Sequence, residues 1–205
     1  MRRSAIMTSI LLLLAVAWFG YVWSQNATTA APAKQASGAE FPKDWFFPVD
    51  EKQGAEQAAL VGQPAPAMEV KDWKNSAGTT LADLHGKVVV LDLFATWCGP
   101  CLAAIPHNNE LYAKYQKQDF AFIGICTSGQ GQEGFAKVVA DRGIKYPVAA
   151  DPTLATEKAY HILFYPTYVV IDRKGVLRAI GLTPGHVEDV VKALLAEPAP
   201  EPAKK

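Results

Sequence analysis

The stretch Val88–Pro106, VVVLDLFATWCGPCLAAIP, constrains this chain more than any other. It opens as a run rich in Val and Leu that only Asp92 interrupts, the pattern of a strand buried on both faces. Ala95-Thr96-Trp97 then turns into Cys98-Gly99-Pro100-Cys101, and the chain continues as a predicted helix. A Cys-x-x-Cys pair at a strand-to-helix junction is a redox signal. Cys98 falls at the helix N-terminus, where unpaired N–H groups and the helix dipole favour an anion, so its thiol is expected to ionise readily and to attack. Cys101, one turn inward, is placed to resolve a mixed disulfide by intramolecular attack. The competing use of such a pair is half of a zinc site, which needs a second ligand pair. Cys126 stands alone, and His85, His107, His161 and His186 show no paired spacing, so neither a metal nor a cofactor is expected.

Asp92 is expensive to bury unless it stays protonated or finds a partner. Its neighbours on both sides are apolar, which favours a buried functional acid over a surface-facing residue on a strand edge. Phe120–Cys126 reads as a second buried strand, parallel to the first through a helical crossover. Cys126 ends it and should reach the same carboxyl edge as Cys98, either as a small buried apolar residue or as a third redox thiol. Met68–Trp73 and Thr79–Leu81 read as a hairpin across Asn75–Gly78. Further on, a helix is predicted over Gly131–Arg142, a strand over Tyr146–Ala149, and a helix over Thr153–Tyr160 with Asp151 as N-cap. A strand over Tyr168–Asp172, an edge strand over Val176–Gly181 and a closing helix over His186–Leu195 complete the series.

Trp97-Cys98-Gly99-Pro100-Cys101, with Asp92 six residues before Cys98 and prolines at 106 and 166, resembles the thioredoxin-fold oxidoreductases and their membrane-tethered TlpA/ResA-like relatives. The likeness runs over roughly Val61–Ala196. It implies an α/β, thioredoxin-like fold: a central mixed β-sheet flanked by helices, with an N-terminal hairpin and a strand-helix insertion. It implies Cys98, Cys101 and Asp92 as catalytic residues, with Asp92 exchanging a proton with Cys101. Substrate contacts are implied at Trp97, Gly99, Pro100, Tyr165 and Pro166. A cis Tyr165–Pro166 bond is expected, and the Tyr165 backbone would pair with an extended substrate segment. The chain departs from its closer relatives at Ala104, where they commonly carry a glutamate; the acid is supplied from the strand instead.

The activity so implied is that of a thiol–disulfide oxidoreductase acting on protein disulfides and re-reduced by a membrane thiol-electron donor. Apocytochrome c haem-site cysteines, metallochaperone thiols and oxidatively damaged proteins are the implied substrates. Gly99-Pro100 resembles the reducing members. The alternatives are a disulfide-forming oxidase and a Sco-type copper-delivery protein with His161 as third ligand, although Sco-type pairs are spaced one residue wider. The Thr-x-x-Cys site of a peroxiredoxin-like peroxidase is absent.

Arg2 and Arg3 precede Ala5–Trp23, which carries no charge. As a helix this stretch spans about 28 Å, close to the roughly 30 Å hydrocarbon core of a bilayer. Residues 1–24 are read as an inner-membrane anchor that holds the catalytic domain on the extracytoplasmic, periplasmic side. A cleaved signal peptide, giving a secreted domain, is the alternative. Residues 25–40, rich in Ala, Thr, Ser and Pro, read as a flexible linker. Residues 41–60 form an aromatic-rich extension in which FPKDWFFP is either a strap on the domain surface or a partner-docking site, followed by a short helix from Gly54. Residues 61–196 make the thioredoxin-like domain, and 197–205 a disordered tail. Twenty basic and twenty acidic residues cancel, which suggests no nucleic-acid partner.

Overall fold

The computed structural model describes residues 41–200. The expected anchor and linker, residues 1–40, and the last residues of the tail lie outside the described residues. Among the described residues, no helix is long and apolar enough to cross a membrane.

Six strands, β1 (Lys71–Lys74), β2 (Val88–Phe94), β3 (Phe120–Cys126), β4 (Val148–Ala150), β5 (Thr167–Ile171) and β6 (Leu177–Leu182), form one sheet in the order β1-β4-β3-β2-β5-β6. β2, β3 and β4 run parallel, whereas β1, β5 and β6 run antiparallel to their neighbours. The helices are α1 (Glu51–Leu60), α2 (Gly99–Tyr115), α3 (Phe135–Asp141), α4 (Ala155–Ala159) and α5 (Val187–Ala196). This is the expected mixed sheet with flanking helices.

Apart from Asp92, β2 is apolar because both of its faces are covered. Val88, Val90 and Phe94 point to the side packed by Ile105 and Leu111 of α2 and by Val187, Val190, Val191 and Leu194 of α5. Val89, Leu91 and Leu93 point to the other side, against Tyr160, Leu84, Val70 and Trp73. The period-2 alternation thus puts Asp92 on the α2 face. At the carboxyl ends of β2 and β3 the register pairs Phe94 with Cys126, so Cys126 does reach the edge from which α2 departs.

Three local expectations are corrected. The N-terminal hairpin does not form: Thr79–Leu81 is no strand, and β1 pairs instead with β4, Lys71 opposite Ala150 and Lys74 opposite Val148. The Asp83 carboxylate takes the Thr80 N–H (3.0 Å) and hydroxyl (2.7 Å), fixing a turn in place of a ladder. Asn75, at φ 61°, donates to the Ile144 and Tyr146 carbonyls and ties the loop to the segment entering β4. The helix predicted from Thr153 begins at Ala155, because Leu154 adopts a left-handed φ of 57°. Asp151 still caps it from further away, accepting from the N–H groups of Ala155 and Glu157, both at 3.0 Å. The helix over Gly131–Arg142 divides into a 3₁₀ turn, Gln132–Gly134, and α3.

Two appendages are docked on the sheet. The aromatic extension lies along the free edge of β6: Phe47 N–H donates to Gly181 O (3.0 Å) and Thr183 N–H to Trp45 O (2.9 Å). The Trp45 ring stacks on His186, with centroids 4.8 Å apart. These contacts match the strap reading. Glu197, given to the tail by the sequence, is held by the buried Arg178 at 2.9 Å, and Arg178 also pairs with Asp172 at 3.1 Å.

Candidate active site

Cys98 is the N-cap of α2, and its Sγ accepts the Cys101 N–H at 3.2 Å. Pro100 in the first turn has no N–H to satisfy, so the free donors of this helix end are concentrated around the cysteine. Cys98 and Cys101 are joined as a disulfide, with Cα atoms 5.3 Å apart and only 4% and 2% exposure. Pro106 lies inside α2 and leaves the Leu102 carbonyl without its helical donor, yet the helix continues to Tyr115.

Trp97 is 59% exposed, unusually so for a large aromatic. It is nonetheless fixed: Nε1 donates to Ser128 Oγ (2.9 Å) and to Gln130 O (3.2 Å). The neighbouring Thr96 hydroxyl donates to Gly131 O at 2.7 Å. Gly131 sits at φ 75°, and a Cβ there would come within 2.6 Å of Thr96 Oγ1, so the loop after β3 closes on the motif only with glycine at this position. The Trp97 ring meets Tyr165 edge-on at 6.0 Å. The Tyr165–Pro166 bond is cis. Tyr165 is itself anchored, its hydroxyl bonded to Glu157 of α4 and to Thr127 after β3. Burial, followed by the Glu157 hydrogen bond, pushes the Tyr165 phenol far up.

Asp92 is 2% exposed, and its hydrogen-bond partner is Asn108 on α2 at 2.9 Å, not a cysteine. Desolvation raises its carboxyl to about 7, against the lowering effect of the Asn108 bond. An acid that changes protonation near neutral pH can exchange protons with a thiol. Cys126 is fully buried, and burial pushes its thiol up to about 11 in spite of N–H donors from Thr96 and Ser128. It therefore behaves as a protonated small core residue.

The structure thus gathers Trp97, Cys98, Cys101 and Tyr165-Pro166 at one sheet edge and sets Asp92 within the sheet below α2. Sequence reasoning missed the clasp formed by Ser128, Gln130 and Gly131, the Glu157–Tyr165 bond, and Asn108. A Ser-Gly-Gln-Gly run just after a strand that ends on the active edge was the available signal for the clasp; a lone polar residue on the inner helix face was the signal for Asn108. His161 is engaged elsewhere: its Nδ1 pairs with Glu56 at 2.9 Å and its carbonyl accepts from Gln57. Among the described residues, no three His, Cys, Asp or Glu side chains are grouped as metal ligands.

The redoxin family profile matches residues 60–195, well over half of the chain. This chain belongs to the redoxin family. Its sequence is 31% identical over 137 residues to ResA of Geobacillus kaustophilus, a thiol-disulfide oxidoreductase, covering 67% of this redoxin and 78% of ResA. It is 33% identical over 157 residues to protein DipZ of Mycobacterium bovis, covering 72% of this redoxin but only 23% of DipZ. A crystal structure of a thioredoxin-like superfamily protein superposes with a TM-score of 0.61 at 30% identity, over 67% of this redoxin and 99% of that chain. The matched region carries the Cys-x-x-Cys pair, closed as a disulfide, and the fold shared with these thiol–disulfide oxidoreductase relatives.

Proposed function

We propose that this redoxin is an extracytoplasmic, membrane-tethered reductase of protein disulfides that works through Cys98 and Cys101. The observation that carries the proposal is Cys98 at the N-cap of α2 with the Cys101 N–H directed at its sulfur (3.2 Å), a setting that stabilises a thiolate. Cys98 S⁻ attacks one sulfur of the substrate disulfide, and the other substrate sulfur leaves as a thiolate. Cys101 then gives up its proton, attacks Cys98 Sγ and closes the Cys98–Cys101 disulfide, releasing the second substrate sulfur. Two electrons pass from the dithiol to the substrate. Asp92 takes the Cys101 proton, as its raised affinity allows. Trp97, Gly99, Pro100 and the Tyr165-Pro166 backbone form the surface that receives the substrate strand.

The reducing direction draws on the likeness of Gly99-Pro100 to reducing thioredoxins. The membrane location draws on Arg2-Arg3 and the uncharged Ala5–Trp23. A membrane thiol-electron donor would restore the dithiol. The deciding experiment is the reduction potential of the pair in the full chain, with Cys126→Ser as control. A value near that of thioredoxin, about −270 mV, is expected; a value near about −120 mV would overturn the reducing direction in favour of disulfide formation. In parallel, Cys101→Ser should accumulate the Cys98 mixed disulfide with its substrates, and Cys98→Ser should not.

A further inference from the structure

Asp92 ends a buried polar chain whose other members the reaction above leaves unused. Asn108 Nδ2 donates to Asp92 Oδ2 at 2.9 Å, and the Tyr168 hydroxyl donates to Asn108 Oδ1 at 3.1 Å. All three residues are buried. Asp92 Oδ1 has no partner. Asn108 follows Cys101 by seven residues, two helical turns, and so occupies the same face of α2. The sheet register sets Tyr168 directly opposite Asp92 on β5 and Gly124 opposite it on β3. Tyr146 fills the space over Gly124, where a Cβ would come within 2.9 Å of its ring.

An amide on a helix face otherwise made of Cys101, Ile105, Leu111 and Tyr115 is costly to bury, and an apolar residue would pack there without that cost. We propose that Asn108 is a positioning residue for Asp92: its amide, oriented by the Tyr168 hydroxyl, holds Oδ2 and leaves Oδ1 as the atom that takes and returns the Cys101 proton. This rests on the reading of Asp92 as the proton acceptor. The amide N–H favours the carboxylate and opposes desolvation, which keeps the acid from being locked in its neutral form. Tyr168 decides which end of the amide faces Asp92. An inverted amide would present its carbonyl to Asp92, an arrangement suited only to the protonated acid. The titratable side chains facing Asp92 across the sheet are Tyr168 and Tyr146; burial first, and then the Asp92 charge, pushes both phenols far up, so they stay neutral while Asp92 titrates.

The test uses the full chain and reads two quantities: the midpoint of the Asp92 carboxyl by ¹³C NMR, its signal identified by loss in Asp92→Asn, and the pH profile of mixed-disulfide resolution. Asn108→Leu should move both upward by about one pH unit, the size expected for losing a hydrogen bond to a charged group. Tyr168→Phe, which removes a single oxygen, should move both in the same direction by less. Unchanged midpoints in the two variants, whatever their melting temperatures, would overturn the proposal. If Asn108→Leu does not fold, an unmoved midpoint in Tyr168→Phe alone overturns it. If Asp92→Asn leaves the rate profile unaltered, the Asp92 role fails and this one with it. If Asp92→Asn alters the profile and Asn108→Leu does not, only the present inference fails.

Discussion

Asp92 links stability to pH in a direction opposite to that of most carboxylates. Its folded value of about 7 lies above the ordinary 3.8, with desolvation as the larger cause. Between those values the folded chain holds a proton that the unfolded chain has released, so stability is full below about pH 4 and falls as the pH rises towards 7. Asp92→Asn should remove that slope. Urea titrations should show the variant more stable than the parent at pH 8, by up to roughly 4 kcal/mol, and no more stable near pH 4. An equal difference at both pH values would contradict the buried, proton-binding state of Asp92. Cys126 offers a second single-residue check. Its thiol stays protonated and enclosed, so alkylation of the reduced chain at pH 8 should modify Cys98 first, and peptide mapping should find Cys126 modified only after urea is added. Early labelling of Cys126 would return it to the list of candidate redox thiols.

At the scale of elements, the strap completes the sheet. β6 is the last strand, and an exposed strand edge invites pairing with another chain. Phe46 bridges to Leu182, Phe47 bonds to Gly181, and Pro64 bridges to Val176, so the N-terminal extension and the segment that follows α1 both cover that edge. Trp45 pins the first of them through its stack on His186, and Phe41 stacks on Trp45 at 6.1 Å. Trp45→Ala should therefore cost about 2 kcal/mol, below the range for a fully enclosed aromatic because the ring is only half-buried. Calorimetry reads that loss. Limited proteolysis should cut before Asp50 faster in the variant, and an unchanged cutting pattern would mean that the strap is held by its backbone bonds alone. α2 shows a complementary economy: one helix supplies the N-terminal donor at Cys98, its disulfide partner Cys101 and the amide of Asn108.

Among the described residues, polar contacts join distant parts of the chain. Arg178 on β6 binds Asp172 in the β5–β6 turn and Glu197 beyond α5, and Arg173 donates to the Leu195 and Glu197 carbonyls. Removing one member of a buried ion group strands the others, so Arg178→Met should cost about 3 kcal/mol, the lower end for such losses because Asp172 keeps the N–H groups of Lys174 and Val176. Thermal unfolding checks it; a loss below ~1 kcal/mol would assign the group to the weak surface class.

Much of this architecture was legible in the chain itself. The two central strands, the strand-to-helix junction with its redox pair, and the closing helix with Val187, Val190, Val191 and Leu194 turned inward all follow from patterns among near neighbours, where periodicity and backbone chemistry act directly. The buried acid was legible for a related reason, since a carboxylate inside an apolar run has no explanation in packing alone. Contacts between residues far apart in sequence were decided by the tertiary structure. β1 finds β4 because Asp83 and Asn75 bend the intervening chain, and α4 starts late because Leu154 turns left-handed under Asp151. Asn108, which bonds Asp92, comes from α2, and Tyr168, which lies opposite Asp92 and bonds Asn108, comes from β5, 16 residues and 76 residues further along the chain; helix packing and sheet register bring them together. The sequence by itself determined where the disulfide-forming pair sits, because the Cys-x-x-Cys spacing and the adjoining strand are local. Which groups surround the buried acid beside that pair was left to the fold, because contacts between a helix and two strands depend on register and crossing geometry that no local pattern encodes.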